Sequence, residues 1–330
     1  MHHGHTRREA IKAGGAAALA AAAFAALVPG GAAALARQAA APPAKRRAVR
    51  LAHLTDSHIQ PERGALDGVA ACLRHMMALP DRPQRVITGG DLIMDGFAAT
   101  RERTRLQWDI YTTVMRDGCP LPVDHCLGNH DIWGWNKAKS GSTGGEPEWG
   151  KRWACDTLGL SAPYRAVDLP GNWRAIILDS VHTDGGDGYI GRLDEPQHEW
   201  LDQELRREPG KHHLVVSHIP IFSMGAVEHD SKIENDQWTI AGGVMHVDAK
   251  RLMTVFRERK NVRACISGHI HKVDRTDYEG VAFICGGAVS GAWWKGREDR
   301  CDEGYGVVDL FEDGTVGYDY LTYGWKARPA

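Results

Sequence analysis

Residues 49–58 read VRLAHLTDSH, an apolar run that ends in an acidic residue, a serine and a histidine. The run has the length of a buried strand, and the polar residues at its end favour a turn. Asp56 and His58 are two residues apart, so in an extended chain their side chains point the same way. A buried strand that delivers polar side chains at its end is the pattern that decides this fold.

Four later strand-sized runs end in polar side chains in the same way. They are VITGGD (86–91), VDHCLGNHD (123–131), LVVSHIP (214–220) and VRACISGHIH (262–271). Two more strands are predicted at Ala175–Leu178 and Val281–Cys285. The chain therefore repeats one local design at several places that are far apart in sequence.

Amphipathic helical patterns separate several of these strands. The residues predicted to face the core are Leu66, Val69, Leu73, Met76 and Met77 in a first helix, Leu106, Ile110 and Val114 in a second, and Leu252, Val255 and Phe256 in a third. Strands that alternate with helices indicate an α/β fold with largely parallel pairing. From about Val281 onward strands continue with little helix, which indicates a mixed or second sheet.

Residues 132–173 differ from the rest because they are rich in Gly and Trp. A long irregular segment in a compact domain usually serves function, so we predict a loop region over a site, with one short helix near Glu148–Leu158. The tryptophans that follow two of the strand ends have two interpretations. They form a wall for a base, sugar or lipid, or they are ordinary packing residues. These tryptophans are Trp133, Trp135, Trp293 and Trp294.

Charge and cysteine content exclude some classes of protein. The formal net charge is −2, and the only run of three basic residues is Lys45–Arg47, so long nucleic acid is not an expected partner. The seven cysteines are scattered without a CxxC pair, which argues against a zinc ribbon. We assign no disulfide. Cys126, Cys265 and Cys285 lie in apolar runs and are expected to be buried free thiols.

Residues 1–36 have the parts of an export signal. They contain Arg7–Arg8, an Ala-rich stretch and an Ala-Leu-Ala site at Ala34–Ala36, which together resemble a twin-arginine signal. The apolar run before Pro29 is too short for a stable membrane anchor. We therefore predict a periplasmic or secreted protein that uses the twin-arginine export machinery. Residues 37–48 are predicted to be a linker and residues 49–330 the folded domain.

The polar side chains at the strand ends are suited to metal binding. The carboxyl ends of strands in an open α/β sheet form the crevice where ligands bind. Glycines before Asp91, Asn129 and His269 allow sharp turns and close approach of the backbone. Each motif alone is weak, because a single Asp-x-His or Gly-Asp often occurs by chance. Five of them in this order predict one site built from oxygen and nitrogen ligands.

The series Asp56-x-His58, Gly90-Asp91, Gly128-Asn129-His130-Asp131, His218 and Gly268-His269-x-His271 resembles the calcineurin-like metallophosphoesterase superfamily. The resemblance spans residues 51–271. It implies two facing mixed β-sheets flanked by helices, a four-layer αββα sandwich of the α/β class. It also implies a dinuclear site in which Asp91 bridges the ions. The first ion would be held by Asp56, His58, Asp91 and His271, and the second by Asp91, Asn129, His218 and His269.

The resemblance further implies a reaction. A hydroxide that bridges the two ions would attack phosphorus of a small phosphodiester or phosphomonoester. His130 would protonate the leaving oxygen, and Asp131 would orient the His130 ring and favour its protonated form. Mixed oxygen and nitrogen ligands accept divalent or trivalent ions, so Mn, Fe and Zn remain open. Met94 and Asp131 differ from the residues expected in the purple acid and Ser/Thr protein phosphatase branches.

Two alternatives remain at this stage. One is a catalytically silent metal-binding scaffold of the same fold, although every expected ligand position is filled. The other is a nuclease, which the negative net charge disfavours because phosphate contacts require Lys and Arg. The leading interpretation is an exported metal-dependent hydrolase of a small phosphate ester.

Overall fold

The computed structural model describes residues 45–328. The predicted signal (1–36) lies outside the described residues, as does the predicted linker up to residue 44, so both remain predictions. The first strand begins at Arg47, inside the stretch predicted to be the linker.

Strands and helices alternate through most of the described chain. The strands are β1 (Arg47–Leu54), β2 (Arg85–Gly89), β3 (Val123–Cys126), β4 (Arg165–Leu169), β5 (Trp173–Ile177), β6 (Val181–Thr183), β7 (Tyr189–Gly191), β8 (His212–Val216), β9 (Ser231–Glu234), β10 (Gln237–Ile240), β11 (Val262–Ser267), β12 (Asp274–Tyr278), β13 (Val281–Cys285), β14 (Gly304–Phe311) and β15 (Val316–Thr322). The helices are α1 (Ala65–Met77), α2 (Arg101–Gly118), α3 (Lys137–Ser140), α4 (Arg152–Leu158), α5 (Glu195–Arg207), α6 (Met224–Asp230) and α7 (Ala249–Arg259).

Two mixed sheets form the centre of the fold. The first has the strand order β15-β14-β1-β2-β3, and the second has the order β12-β13-β11-β8-β5-β4. In the first sheet β1, β2 and β3 run parallel, and β14 and β15 pair antiparallel at one side. In the second sheet β13, β11, β8 and β5 run parallel, with β12 and β4 as antiparallel edges. All seven strands predicted from sequence are present, and the mixed-sheet prediction is confirmed.

The core is divided into layers, as expected for an αββα sandwich. Between the sheets, apolar residues of β1, such as Leu51, pack with residues of β5 and β8, such as Ala175 and Leu214. The outer face of the first sheet packs against α1 and α2. The outer face of the second sheet packs against α5 and α7. Burial of these apolar surfaces stabilises the fold by roughly 25 cal/mol for each Å² removed from water.

Helix α1 buries most of its predicted face, with Val69, Leu73 and Met76 buried and Leu66 exposed, whereas α2 is partly rotated from its predicted face. Leu106 of α2 is exposed, at 45% of its surface. In α2 the buried residues include Trp108 and Tyr111 instead. Indole and phenol rings fill more space against the sheet than Leu106 does, so they rotate the helix toward their own side. Thr100 begins α2 by accepting a hydrogen bond from the Arg103 amide, a common way to satisfy the first free N–H groups.

The Gly- and Trp-rich segment 132–173 has more structure than predicted. Besides α4, which confirms the helix near Glu148–Leu158, it contains the short helix α3, the strand β4 and the first residue of β5. Lys151 holds the segment to the body, because its ammonium donates to the Asp179 carboxylate at 2.6 Å and to the Val181 carbonyl at 2.5 Å. The prediction of a mainly irregular loop is therefore only partly correct.

All seven cysteines lie in the described part of the chain and are free thiols, with Cys126, Cys265 and Cys285 buried as expected. Burial raises the pKa of the Cys126 thiol to about 12, so this residue stays protonated and packs as an apolar group. Between residues 45 and 328, no helix combines the length and apolar character needed to cross a membrane.

Candidate metal centre

The predicted ligands meet where the carboxyl ends of the two sheets face each other. Asp56, Asp91 and Asn129 follow strands of the first sheet, whereas His218 and His269 follow strands of the second. One contact joins the two sheets directly, because the His269 amide donates to the Asp56 carboxylate at 3.0–3.1 Å. The structure therefore brings together side chains that are more than 200 residues apart in sequence.

Asp56, His58 and His271 form the first ligand group. All three are buried, and their ligand atoms lie within 4.8 Å of one another. The Nε2 atoms of His58 and His271 are 3.1 Å apart, and Asp56 Oδ1 lies 3.3 Å from His271 Nε2. Thr55 adds a hydroxyl that donates to Asp56 Oδ2 at 2.5 Å and leaves Oδ1 directed at the histidines.

Asp91, His218 and His269 form the second ligand group. His218 Nε2 lies 3.2 Å from both Asp91 Oδ2 and His269 Nδ1. The side-chain oxygen of Asn129 is 3.1 Å from the same nitrogen of His218, which places the amide with this group. These are the four residues that the resemblance assigned to the second ion.

Asp91 lies between the two groups. Its Oδ2 is 3.2 Å from His218 Nε2 and 3.6 Å from His58 Nε2, whereas its Oδ1 accepts the His130 amide at 2.8 Å. A carboxylate in this position can contact two ions at once. The geometry is therefore suited to the bridging role expected of Asp91.

The orientation of the histidines supports a fit to metal ions. His218 and His271 use Nδ1 to donate to the carbonyls of Gly89 and Gly291, at 2.8 and 2.6 Å. His269 uses Nε2 in the same way toward the Gly243 carbonyl, at 2.9 Å. Hydrogen bonds of this kind fix the tautomer of metal-binding histidines. The nitrogens that face the centre can therefore offer lone pairs to a cation.

Backbone strain is concentrated at the same residues. Five of the seven predicted ligands have positive φ angles between 41° and 74°: Asp56, His58, Asp91, His269 and His271. Such conformations are uncommon outside glycine, although Asp and His adopt them more readily than most residues. Close approach also requires the neighbouring glycines, because a Cβ atom on Gly268 would collide with the side chains of Thr55 and Asp56. Strain clustered at a site is typical of function.

His130 also lies at the centre. Its ring is 4.8 Å from the ring of His58, and one of its nitrogens groups with His58 and Asp91. The buried Nδ1 of His130 has no hydrogen-bond partner within residues 45–328. His130 is only partly buried, so one side of the ring is accessible to a bound molecule.

Asp131 has a different contact set from the one predicted. Its Oδ1 accepts the Leu92 amide at 2.8 Å, and its Oδ2 accepts the Gly128 amide at 2.8 Å. No hydrogen bond joins this carboxylate to the His130 ring in the described chain. The prediction that Asp131 orients His130 is therefore corrected, because the carboxylate instead ties the turn after β3 to the turn after β2.

Charge and burial shift the pKa values of the clustered histidines in opposite directions. Burial lowers the pKa of His269 to about 3, and it lowers the pKa of His58 as well. Burial acts in the same sense on His218, but the charge of Asp91 outweighs it and raises the pKa to about 9. Asp56 similarly raises the pKa of His271 against the effect of burial. In the metal-free protein the two carboxylates thus favour the protonated forms of His218 and His271.

Metal binding is expected to release protons. At pH 7 the metal-free protein holds a proton on His218, because pH 7 lies below the pKa of about 9. A cation needs the lone pair of His218 Nε2, the nitrogen that faces Asp91. Binding therefore displaces at least one proton per chain, and metal affinity rises as pH rises toward 9. Titration calorimetry of Zn²⁺ binding in two buffers of different ionisation enthalpy measures the release. Equal heats in the two buffers would contradict the expectation.

Aromatic rings flank the ligand groups on both sides. The Trp293 ring is 4.5 Å from the ring of His271, and the Tyr189 ring is 5.9 Å from that of His269. Phe97 lies 5.7 Å from Tyr189 and 6.2 Å from Trp135. Trp293 and Trp135 are partly exposed, whereas Trp133 and Trp294 are buried in the core. Trp293 and Trp135 are therefore accessible to a bound ring, whereas Trp133 and Trp294 are packing residues.

Several supporting groups could not be found from sequence. The carbonyls of Gly89, Gly243 and Gly291 hold the ligand histidines, and a backbone carbonyl has no sequence signature. Tyr189 comes from a short hairpin with no motif. Thr55 is adjacent to Asp56 in sequence, but only the structure shows that its hydroxyl donates to the Asp56 carboxylate.

Comparisons with known proteins agree with this geometry. Residues 49–273 match the family model described as calcineurin-like phosphoesterase. A probable cyclic nucleotide phosphodiesterase from a Synechococcus strain is 26% identical over 227 residues, which cover 67% of this chain and 73% of the relative. A dimetal phosphatase from Danio rerio has a similar structure, with a TM-score of 0.55 and 16% identity over 84% of this chain and all of the other. GAP50, described as the anchor in the inner membrane complex of Plasmodium, has a TM-score of 0.50 with 15% identity, over 84% of this chain and 85% of that one.

Proposed function

The chain belongs to the calcineurin-like phosphoesterase family and is a metal-dependent phosphoester hydrolase, and from that premise we propose that its substrate is a small phosphodiester, with a cyclic nucleotide as the first candidate. The observation that carries the proposal is the pair of ligand groups joined at Asp91, flanked by aromatic rings on both sides. The similarity to a probable cyclic nucleotide phosphodiesterase supports the choice of ester.

The two ligand groups would hold one ion each. The first ion would be held by Asp56, His58 and His271, and the second by His218, His269 and Asn129. Asp91 lies between the two groups and would serve both. When bound, such a pair of ions lowers the pKa of water and stabilises the charge that develops on phosphoryl oxygens. Mn, Fe and Zn all suit this mixed set of oxygen and nitrogen ligands.

The remaining groups at the centre would act on the substrate. The accessible side of His130 lies beside His58 and Asp91, where it can donate a proton to the leaving oxygen. The Trp293 ring lies beside His271 and the Tyr189 ring beside His269, and every nucleobase can stack on an aromatic surface. The site thus combines a place for the phosphate with places for an attached ring.

A direct assay tests the proposal. Purified protein with measured metal content is compared on bis(p-nitrophenyl) phosphate, p-nitrophenyl phosphate, and 3′,5′- and 2′,3′-cyclic nucleotides. We expect two ions per chain and a higher kcat/KM for a diester than for the monoester. A metal-loaded protein that hydrolyses none of these esters would instead favour the silent scaffold.

Replacement of Trp293 by leucine tests the stacking surface. Base stacking contributes about 1–3 kcal/mol, so kcat/KM for a cyclic nucleotide should fall about 5- to 150-fold. A glycerophosphodiester, which has no ring, should be affected much less. Trp238→Leu is the matched control, because Trp238 is 63% exposed on β10 and is absent from the contacts of the centre. Metal content is measured in both variants. An equal loss on both esters would remove Trp293 from ring recognition.

A further inference from the structure

One loop supports the ligands of the first group. Within segment 288–294, Ser290 Oγ donates to the Asp56 carbonyl at 2.7 Å, and Trp294 Nε1 donates to the His58 carbonyl at 3.0 Å. The Gly291 carbonyl accepts the ring N–H of His271 at 2.6 Å. This loop therefore contacts all three residues of the first group. Ser290 and Trp294 are completely buried, so their hydrogen bonds are protected from water.

A different loop supports the second group. Within segment 241–248, the Gly243 carbonyl accepts the ring N–H of His269 at 2.9 Å. His246 Nε2 lies 3.1 Å from the hydroxyl of Ser217, the residue directly before His218. Asp248 accepts from His246 Nδ1 at 2.8 Å and from His198 at 2.7 Å, which links the loop to α5.

Close polar contacts link the second loop to the turn that carries His218. Ser217 Oγ lies 2.6 Å from the Ile219 carbonyl oxygen and 3.1 Å from His246 Nε2. The serine is thus held on one side by His246 and on the other by Ile219, which fixes the turn that carries His218. Ser217 and His246 are both buried.

We propose that segments 288–294 and 241–248 are two separate positioning devices, each dedicated to one metal position. The inference rests on the dinuclear centre proposed above. Loss of a supporting group outside the ligands of a metal site typically lowers metal affinity about 10- to 100-fold. If each loop serves one position, a substitution in one loop should weaken the binding of one ion and leave the binding of the other unchanged. No hydrogen bond joins the two loops in the described chain.

Two matched substitutions test the proposal. Ser290→Ala removes a buried hydroxyl from the first support, and Ser217→Ala removes one from the second. Crystals of each variant are equilibrated with limiting Zn²⁺, and anomalous scattering measures the occupancy of each position separately. Ser290→Ala should lower affinity about 10- to 100-fold at the Asp56–His58–His271 position alone, and Ser217→Ala should do so at the His218–His269 position alone. Excess Zn²⁺ should restore full occupancy.

Controls separate this proposal from general loss of structure. Ser140→Ala removes another buried hydroxyl, one that donates to Ser142 and not to a ligand residue, and should leave both positions filled. If a serine variant unfolds, Trp294→Phe and His246→Phe remove a polar contact from the same two supports. Wild-type protein that holds two ions, with variants that lose both equally or lose neither, would overturn the positioning proposal alone. Wild-type protein unable to hold two ions would overturn the proposed function instead.

Discussion

Replacement of Asp91 by asparagine is expected to remove metal and abolish hydrolysis. Asp91 Oδ2 lies 3.2 and 3.6 Å from the facing nitrogens of His218 and His58, so the substitution removes negative charge between the two groups. An amide nitrogen there offers protons rather than lone pairs to a cation. Because Asp91 would be a direct ligand, the loss of affinity should exceed the ~10–100-fold typical of supporting groups.

Metal analysis after dialysis measures this loss. The asparagine side chain of the variant keeps one oxygen that can accept the His130 amide, so the backbone should keep its path. Asp95→Asn is the matched control, since it makes the same change in the same loop, where the carboxylate accepts the Ala98 amide. We expect the control to retain two ions per chain. Two tightly held ions in the Asp91→Asn variant would exclude a bridging role.

His130→Ala is expected to lower turnover by about 10²–10⁴ while metal content stays constant, the effect typical of a lost general acid. The ring lies beside His58 and Asp91 but makes no hydrogen bond to either through Nδ1. Its removal should therefore affect chemistry more than folding. A histidine of α6 away from the ligand groups provides the control, and His229→Ala should behave as wild type.

The leaving group distinguishes proton donation from other functions. p-Nitrophenolate leaves readily without a proton, whereas an alkoxide of a ribose does not. The His130→Ala defect should therefore be much smaller for bis(p-nitrophenyl) phosphate than for a cyclic nucleotide. The same defect on both substrates would exclude a general acid. Loss of an ion from this variant would make His130 a ligand instead.

The sequence predicted the strands and the ligand cluster well because both depend on local patterns. A buried strand followed by Asp56-x-His58 or His269-x-His271 fixes which side chains emerge at the end of the sheet. The sheet topology then brings these ends together. Seven candidate ligands from five segments could thus be named before their distances were known, and the structure brings these seven side chains close together.

Other features depend on tertiary contacts and could not be predicted. Leu106 fits a helical repeat, yet Trp108 and Tyr111 take the buried face because they fill the space against the first sheet. Asp131 is next to His130 in sequence, but its carboxylate accepts backbone amides from another turn. The exposed hairpin of β9 and β10 was not among the predicted strands. The export signal remains a prediction.

The positive φ angles at five of the ligands have a consequence for how this protein can change. An uncommon backbone conformation costs about 1–3 kcal/mol at each position, and glycine would relieve most of that cost. A substitution such as Asp56→Gly would relieve this strain, but it would also leave the buried Thr55 hydroxyl and His269 amide without their acceptor. The strained backbone and the hydrogen bonds of the side chains therefore depend on each other at these positions, so thermostable variants of this enzyme are best sought elsewhere in the fold.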